Sequence, residues 1–195
     1  MLVIFLISAL ISNSIFGVRG DIYGFSFGVA CPESPVISDF DANKYVGKWY
    51  EIERIPMIFE RGLECVTAEY NLLEDGSISV KNSGVKKNGK KSSVDGIASL
   101  PNPETQPNMF YVDFRNKGKH SERKNEANYH IWATDYENYS LVYSCNVYAG
   151  FIKFEAAWIL AREKKLNEEI ITELKEKLTE KGVHIEKLKP VSQHC

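Results

Sequence analysis

Apolar residues recur with two different periods along this chain, and the switch falls between Ala161 and Leu166. Before it the period is two, the spacing of strands whose side chains alternate between faces. Residues 65–73 carry Val66, Ala68, Tyr70 and Leu72 on one face and Thr67, Glu69 and Asn71 on the other. Glu74-Asp75-Gly76 then forms a tight turn whose glycine supplies the positive φ. Ile78 and Val80 resume the alternation over 77–82, Asn88-Gly89 marks a second turn, and 94–100 reads as another strand. Pro101, Pro103 and Pro107 punctuate a loop, after which Phe110, Val112 and Phe114 share a face. Residues 115–127 are polar and charged and read as a loop; strands follow at 129–134, 139–147 and 154–161. With the aromatic run 47–55, stopped by Pro56, the pattern predicts eight strands.

After the switch, Leu166, Ile170, Leu174 and Leu178 recur every four residues and Ile171 widens the stripe, predicting one amphipathic helix. Asn167 can cap it, Glu168 and Glu169 suit its first turn, Leu166 and Ile171 can staple its entry, and Gly182 stops it. Such a stripe needs an apolar partner, and only the outside of the strand assembly is large enough. Eight antiparallel strands joined by short links predict a closed up-and-down barrel. Closure removes exposed edges, and eight strands leave room for one small ligand. A filled two-sheet sandwich satisfies the same strand count, so periodicity alone leaves both open.

The N-terminus sets the compartment. Residues 2–11 form an uncharged apolar run of about ten residues, well short of the roughly 20 that span a bilayer. Small and polar residues follow, with cleavage expected after Gly17 or Gly20. The predicted organisation is a signal peptide at 1–20 and one domain at 21–195. Lys and Arg number 24 against 26 Asp and Glu, mixed along the chain without a basic stripe, so nucleic acid is not an expected partner. Charges interrupt every later apolar run, and no transmembrane helix is predicted. Four cysteines, Cys31, Cys65, Cys145 and Cys195, predict two disulfides in an oxidising compartment, although spacing permits three pairings. There is no CxxC and no ligand-like histidine spacing, so no metal site is expected. Asn138-Tyr139-Ser140 is the one N-x-S/T sequon, placed in a turn, which makes Asn138 a candidate glycosylation site.

Three segments narrow the choice: NKYVGKWYEIERIP with Gly47 and Trp49, ATDYENYSLVYSC with Thr134, Asp135 and Tyr136, and AWILAR with Arg162. Their order around eight strands and a final helix resembles the three signature regions of the lipocalins. More narrowly, it resembles the apolipoprotein D-like branch, including its insect relatives and the insect bilin-binding lipocalins. The resemblance spans about Cys31 to Cys195. It implies an eight-stranded barrel with the helix packed outside, and a closed end where the arginine crosses the tryptophan ring. Gly47 would then let the entering short helix approach the barrel closely. It further implies the pairings Cys31–Cys145 and Cys65–Cys195.

The function that follows is extracellular binding and transport of a small hydrophobic ligand: a lipid, steroid, fatty acid, retinoid or bilin. Tyr70 and Trp158 match aromatic positions of the branch's pocket. Val66, Ala68, Leu72, Phe110, Phe114, Leu141, Tyr143 and Phe154 are assigned to the lining by alternation. The Tyr70 hydroxyl would orient one polar end of a ligand. Asp135 belongs to the turn segment, and Glu155 is expected to face outward. An isomerase of the kind some lipocalins are would need a free thiol in the barrel; four paired cysteines leave none, so no enzyme is expected. The rival reading is a secreted or surface-associated interaction scaffold. The charged loop after Phe114 disfavours membrane docking there, whereas residues 56–59 offer an apolar site for peripheral membrane or receptor contact.

Overall fold

The computed structural model describes residues 24–114 and 126–195; the expected signal peptide and residues 115–125 of the charged loop lie outside them. In chain order the elements are β1 (Phe25–Phe27), a short helix α1 (Ala42–Tyr45), β2 (Gly47–Arg54), β3 (Leu63–Leu72), β4 (Ile78–Lys86) and β5 (Lys91–Ser99). There follow β6 (Met109–Asp113), β7 (Tyr129–Thr134), β8 (Tyr139–Tyr148), β9 (Ile152–Ala161), the helix α2 (Glu168–Glu180) and β10 (Lys189–Pro190).

Strands β2 to β9 each pair antiparallel with the next, and β9 returns to β2 from Tyr50↔Ala161 to Arg54↔Trp158. The sheet is therefore a closed barrel and not a sandwich. Its up-and-down order puts the β2–β3, β4–β5, β6–β7 and β8–β9 connections at one end. The entry to β2 and the exit from β9 lie at the other.

Two strands escaped the periodicity reading, and the closure seam explains both. β2 meets β9 only over the last residues of β9, which leaves the start of β9 with a bare edge; β1 covers it, Phe25 opposite Phe154. β2 likewise pairs with β3 only up to Tyr50, and β10 pairs with the freed segment at Glu53 and Arg54. An unpaired edge is a row of open donors and acceptors, so short covering strands are favourable even without an alternation of their own. The C-terminal tail finishes this repair. Cys65 N–H donates to the Ser192 carbonyl at 2.7 Å, and Gln193 Nε2 donates to the carbonyls of Glu51 and Val66 at 2.8 and 3.0 Å. Cys65–Cys195 then fastens the tail, while Cys31–Cys145 fastens the N-terminal segment to β8. Both pairings are those the resemblance implied.

The helix α2 starts where expected: Asn167 Oδ1 accepts the Glu169 N–H at 2.7 Å. Its residues Ile171, Leu174 and Leu178 are buried against Trp132, Leu141, Tyr143 and Ile159 on the barrel's outer wall. At about 1.5–3 kcal/mol for each large apolar side chain taken out of water, this contact is a main source of the helix's stability. It also corrects two assignments. Leu141 and Tyr143 were expected to line the cavity, but they face the helix, and the inward face of β8 carries Ser140, Val142, Ser144 and Asn146 instead. The apolar face of β8 goes to whichever side offers more apolar partners, and here that side is α2.

Candidate ligand-binding site

The closed end is built from short-range chemistry. Asp41 caps α1 through the Asn43 N–H, and Gly47 then turns the chain with φ +100°, a conformation L side chains rarely adopt. A Cβ at Gly47 would also lie 3.3 Å from Arg162 Nη1, so the close neighbour is the guanidinium, not the short helix that the sequence suggested. Trp49 is fully buried, and its indole N–H donates to the Tyr45 carbonyl at 2.9 Å. The Arg162 guanidinium lies 3.7 Å from the Trp49 ring centroid and donates to the carbonyls of Tyr136, Lys48, Lys44 and Tyr45 at 2.8–3.2 Å. The stacked pair contributes about 1 kcal/mol as a cation–π contact, and the four carbonyls anchor it between α1, β2 and the β7–β8 turn.

That turn is held by its own side chains. Thr134 Oγ1 donates to the Tyr139 carbonyl and accepts the Tyr136 N–H, while Asp135 accepts N–H groups from Glu137, Asn138 and Tyr139. Burial would raise the Asp135 carboxyl, but these hydrogen bonds outweigh it and hold its pKa below the ordinary value. The Tyr136 hydroxyl in turn accepts the Asp41 N–H at 3.0 Å. Asn138 is exposed in this turn.

Above the floor lies a chain of hydroxyls. Tyr45 meets Ser140 and Tyr129 at 3.0 and 3.2 Å, and Tyr129 meets Tyr70 at 2.8 Å. Burial pushes the Tyr45 phenol up to about 12 and raises Tyr70 and Tyr129 as well. Tyr70 therefore sits in the floor with its hydroxyl already engaged by Tyr129, and Phe110 packs beside it against Phe40. Neither borders the main cavity. Leu72 lies beyond them, 48 % exposed, because β3 runs two residues past Tyr70, which is paired with Gly47 at the barrel's entry. The alternation there points past the rim.

The cavity opens over this floor in two adjoining lobes of about 280 and 310 Å³, which share Phe59, Glu60, Val66, Asn82 and Phe114. Of the expected lining, Val66, Ala68, Phe114, Phe154 and Trp158 border the first lobe. Gly96 makes room for the Phe114 ring, which a Cβ would approach to 2.8 Å.

Polar residues that the sequence reading passed over also border it. Glu51 and Glu60 are both buried, and a single guanidinium, that of Arg54, stands between them. Arg54 Nη1 donates to Glu51 at 2.5 Å, and Nη2 donates to the carbonyls of Glu60 and Leu63 at 3.0 and 3.1 Å. Burial and the neighbouring Glu60 charge push the Glu51 carboxyl up to about 8 against the pull of Arg54. Burial likewise raises Glu60. The signal for Glu51 was present: it follows Trp49 at a spacing of two on a strand whose inward face Trp49 defines. Glu60 carried none, since it sits in a short 3-10 turn whose direction only the packing decides.

Glu155 faces outward as expected, yet it is 1 % exposed: Lys153 Nζ lies 3.0 Å away, and the Tyr143 hydroxyl donates to it at 2.6 Å. His130 has Nδ1 2.6 Å from Ser34 Oγ and Nε2 3.2 Å from the Ala127 carbonyl, so both ring nitrogens are engaged. Among the described residues no group of histidine, cysteine, aspartate or glutamate could hold a metal ion, and no cysteine is free.

Comparison with known proteins agrees with this architecture. Residues 40–193 match the model of the lipocalin-like domain. Apolipoprotein D of Mus musculus is 42 % identical over 163 residues, covering 84 % of this chain and 82 % of its own. Apolipoprotein D of Bos taurus is 38 % identical, covering 92 % and 91 %. Among solved structures, insecticyanin from the tobacco hornworm Manduca sexta superposes with a TM-score of 0.70 at 26 % identity, covering 86 % of this chain and 88 % of that one.

Proposed function

The chain belongs to the lipocalin family, on its apolipoprotein D-like branch, and from that premise we propose that it carries a small hydrophobic molecule outside the cell. One observation supports this most: a barrel sealed at one end by Trp49 and Arg162 and hollow at the other, with largely apolar walls. A cavity of this size and lining suits a ligand of a few hundred daltons, shielded from water and released through the same mouth. Val66, Ala68, Phe114, Phe154 and Trp158 supply the wall in this reading, and Tyr70 and Phe110 support the floor beneath it. Two disulfides favour an oxidising compartment. In the same reading residues 1–20 are the removable leader and Asn138, exposed at the closed end, accepts a glycan away from the mouth.

Native mass spectrometry of the protein secreted by eukaryotic cells, before any organic solvent, tests the proposal. A stoichiometric hydrophobic guest supports it. An empty barrel that also fails to bind any of a panel of lipids, steroids, retinoids and bilins would favour the interaction scaffold.

A further inference from the structure

The charge balance of the whole chain, 24 Lys and Arg against 26 Asp and Glu, hides a local imbalance. From Ser77 to Val94 the β4–β5 hairpin carries Lys81, Lys86, Lys87, Lys90 and Lys91, all exposed, and no aspartate or glutamate. A groove of about 500 Å³ crosses the outer wall of β2 to β5 beside the C-terminal tail, and Lys48, Lys81, Lys91 and Lys164 border it. Along its middle run four hydroxyls in register across four strands, those of Tyr50, Thr67, Ser83 and Ser93. No aspartate or glutamate borders the groove; Cys195 brings the terminal carboxylate, one negative charge against four lysines. Glu69 is in register with Lys48 and Lys81, and Asp95 with Lys81, but neither forms an ion pair with them. Among the described residues Lys44, Lys153, Lys175 and Lys177 have carboxylates at 2.8–3.9 Å, whereas none of the seven lysines of this face has one that close. Lys48 Nζ lies 4.8 Å from the Tyr50 ring centroid instead.

We propose that this outer face binds a linear sulfated polysaccharide in the extracellular setting inferred above. Unpaired lysines on one face make a field that attracts a polyanion, and a lysine-dense run such as Val85 to Lys91 is the sequence form of such a patch. Each ammonium is a compact point charge suited to a sulfate, and the hydroxyl row can exchange hydrogen bonds with the sugar. The shape of the patch favours a chain over a flat surface. Its lysines run from Lys48 and Lys164 near the closed end to Lys87 and Lys90 at the open end, and Lys81 to Lys87 alone spans roughly 20 Å of strand. A bilayer meeting the apolar mouth would touch only the hairpin tip. Nucleic acid is disfavoured because the groove holds no arginine, and its one aromatic ring, that of Tyr50, is already covered by Lys48.

The test is binding of a heparin oligosaccharide to the full folded protein by calorimetry, with its desulfated form alongside. The sulfated chain should bind and be released between about 0.1 and 1 M salt, as screening shortens the reach of the charges, while the desulfated form should not bind. Replacing Lys48, Lys81 and Lys91 together with glutamine should weaken binding by about tenfold. Replacing Lys44, Lys177 and Lys181 removes the same charge elsewhere and should change affinity less than about twofold. Lys87→Gln with Lys90→Gln, in an exposed turn, gives a second reading should the strand variant fold poorly. Equal losses from the two triple variants would reduce the effect to net charge and overturn the proposal. Absence of binding by the wild type overturns it, as does equal affinity for a single-stranded DNA of matched charge or binding to phosphatidylserine vesicles in place of heparin. Nile red uptake by the same samples reports on the carrier reading separately, because none of these lysines borders the barrel cavity.

Discussion

The two ends of the barrel are made of similar residue types arranged to opposite effect. At the closed end, Trp49, Tyr45, Tyr136 and Arg162 stack and hydrogen-bond to nearby backbone. At the open end Ile58 and Phe59 stand 63 % and 66 % exposed, and the two unpartnered acceptors face the cavity. A saturated end has nothing left to offer a ligand. An unsaturated one retains binding capacity because its groups were not consumed in folding. The lesson is a division of labour: stability is concentrated where partners are complete, and recognition where they are missing.

Substitutions test that division, and the largest effect belongs at the floor. Trp49→Ala should destabilise by about 3–5 kcal/mol in urea unfolding followed by circular dichroism, since it leaves a cavity and strips Arg162 of its stacking partner. A loss below about 1 kcal/mol would mean the floor is not where the barrel's stability resides. Replacing Cys65 and Cys195 together with serine should cost about 2–5 kcal/mol in the same assay, because the tail that fills the gap between β2 and β3 would lose its anchor.

The acid pair yields a pH signature. Glu51 has a folded pKa of about 8 against 4.5 for a free carboxyl, so its protonated form is the one that folding favours. A carboxyl raised in this way contributes stability below the free value and loses it as pH climbs through the folded value. Melting temperature should therefore fall from about pH 4.5 to about pH 8, and Glu51→Gln should flatten that slope. A wild-type protein equally stable across that window would show that Arg54 neutralises the pair fully.

Smaller effects on stability belong to the mouth. Trp158→Phe should alter stability by less than about 1.5 kcal/mol while weakening ligand binding several-fold, read by displacement titration. Phe59→Ser, at a side chain mostly in water, should move stability by no more than about 0.5 kcal/mol and speed ligand release. If Trp158→Phe melted the barrel as Trp49→Ala does, the distinction between the two ends would collapse.

Legibility followed the same divide. The signature residues around Trp49 could be read through the family resemblance of their segments, although the contact of Arg162 with Trp49 joins residues far apart in the chain. The pocket was less readable. Val66, Ala68 and Phe154 came out of simple alternation, but Leu141 and Tyr143 were assigned to the wrong side of β8. The Tyr70 hydroxyl, expected to orient a ligand, meets the Tyr129 hydroxyl at 2.8 Å. Asn82 stood in phase with Ile78 and Val80 on β4, whereas Glu60 left no trace in periodicity.

By itself, the sequence determined the eight strands, the helix and the cap that starts it and the turn chemistry, because each depends on residues near one another in the chain or on a period they repeat; the closed-end clamp was legible only through the family resemblance. It did not determine which face of a strand points inward. Alternation is symmetric, and the bulge between Ile131 and Ala133 shifts parity in mid-strand, as does the one between Glu51 and Glu53. Only the tertiary structure decided that the apolar face of β8 belongs to α2, that the chain's ends cover the seam, and that two carboxylates share one arginine beside an apolar cavity. Those outcomes depend on which surfaces meet after the barrel closes, and no period within a strand records that meeting.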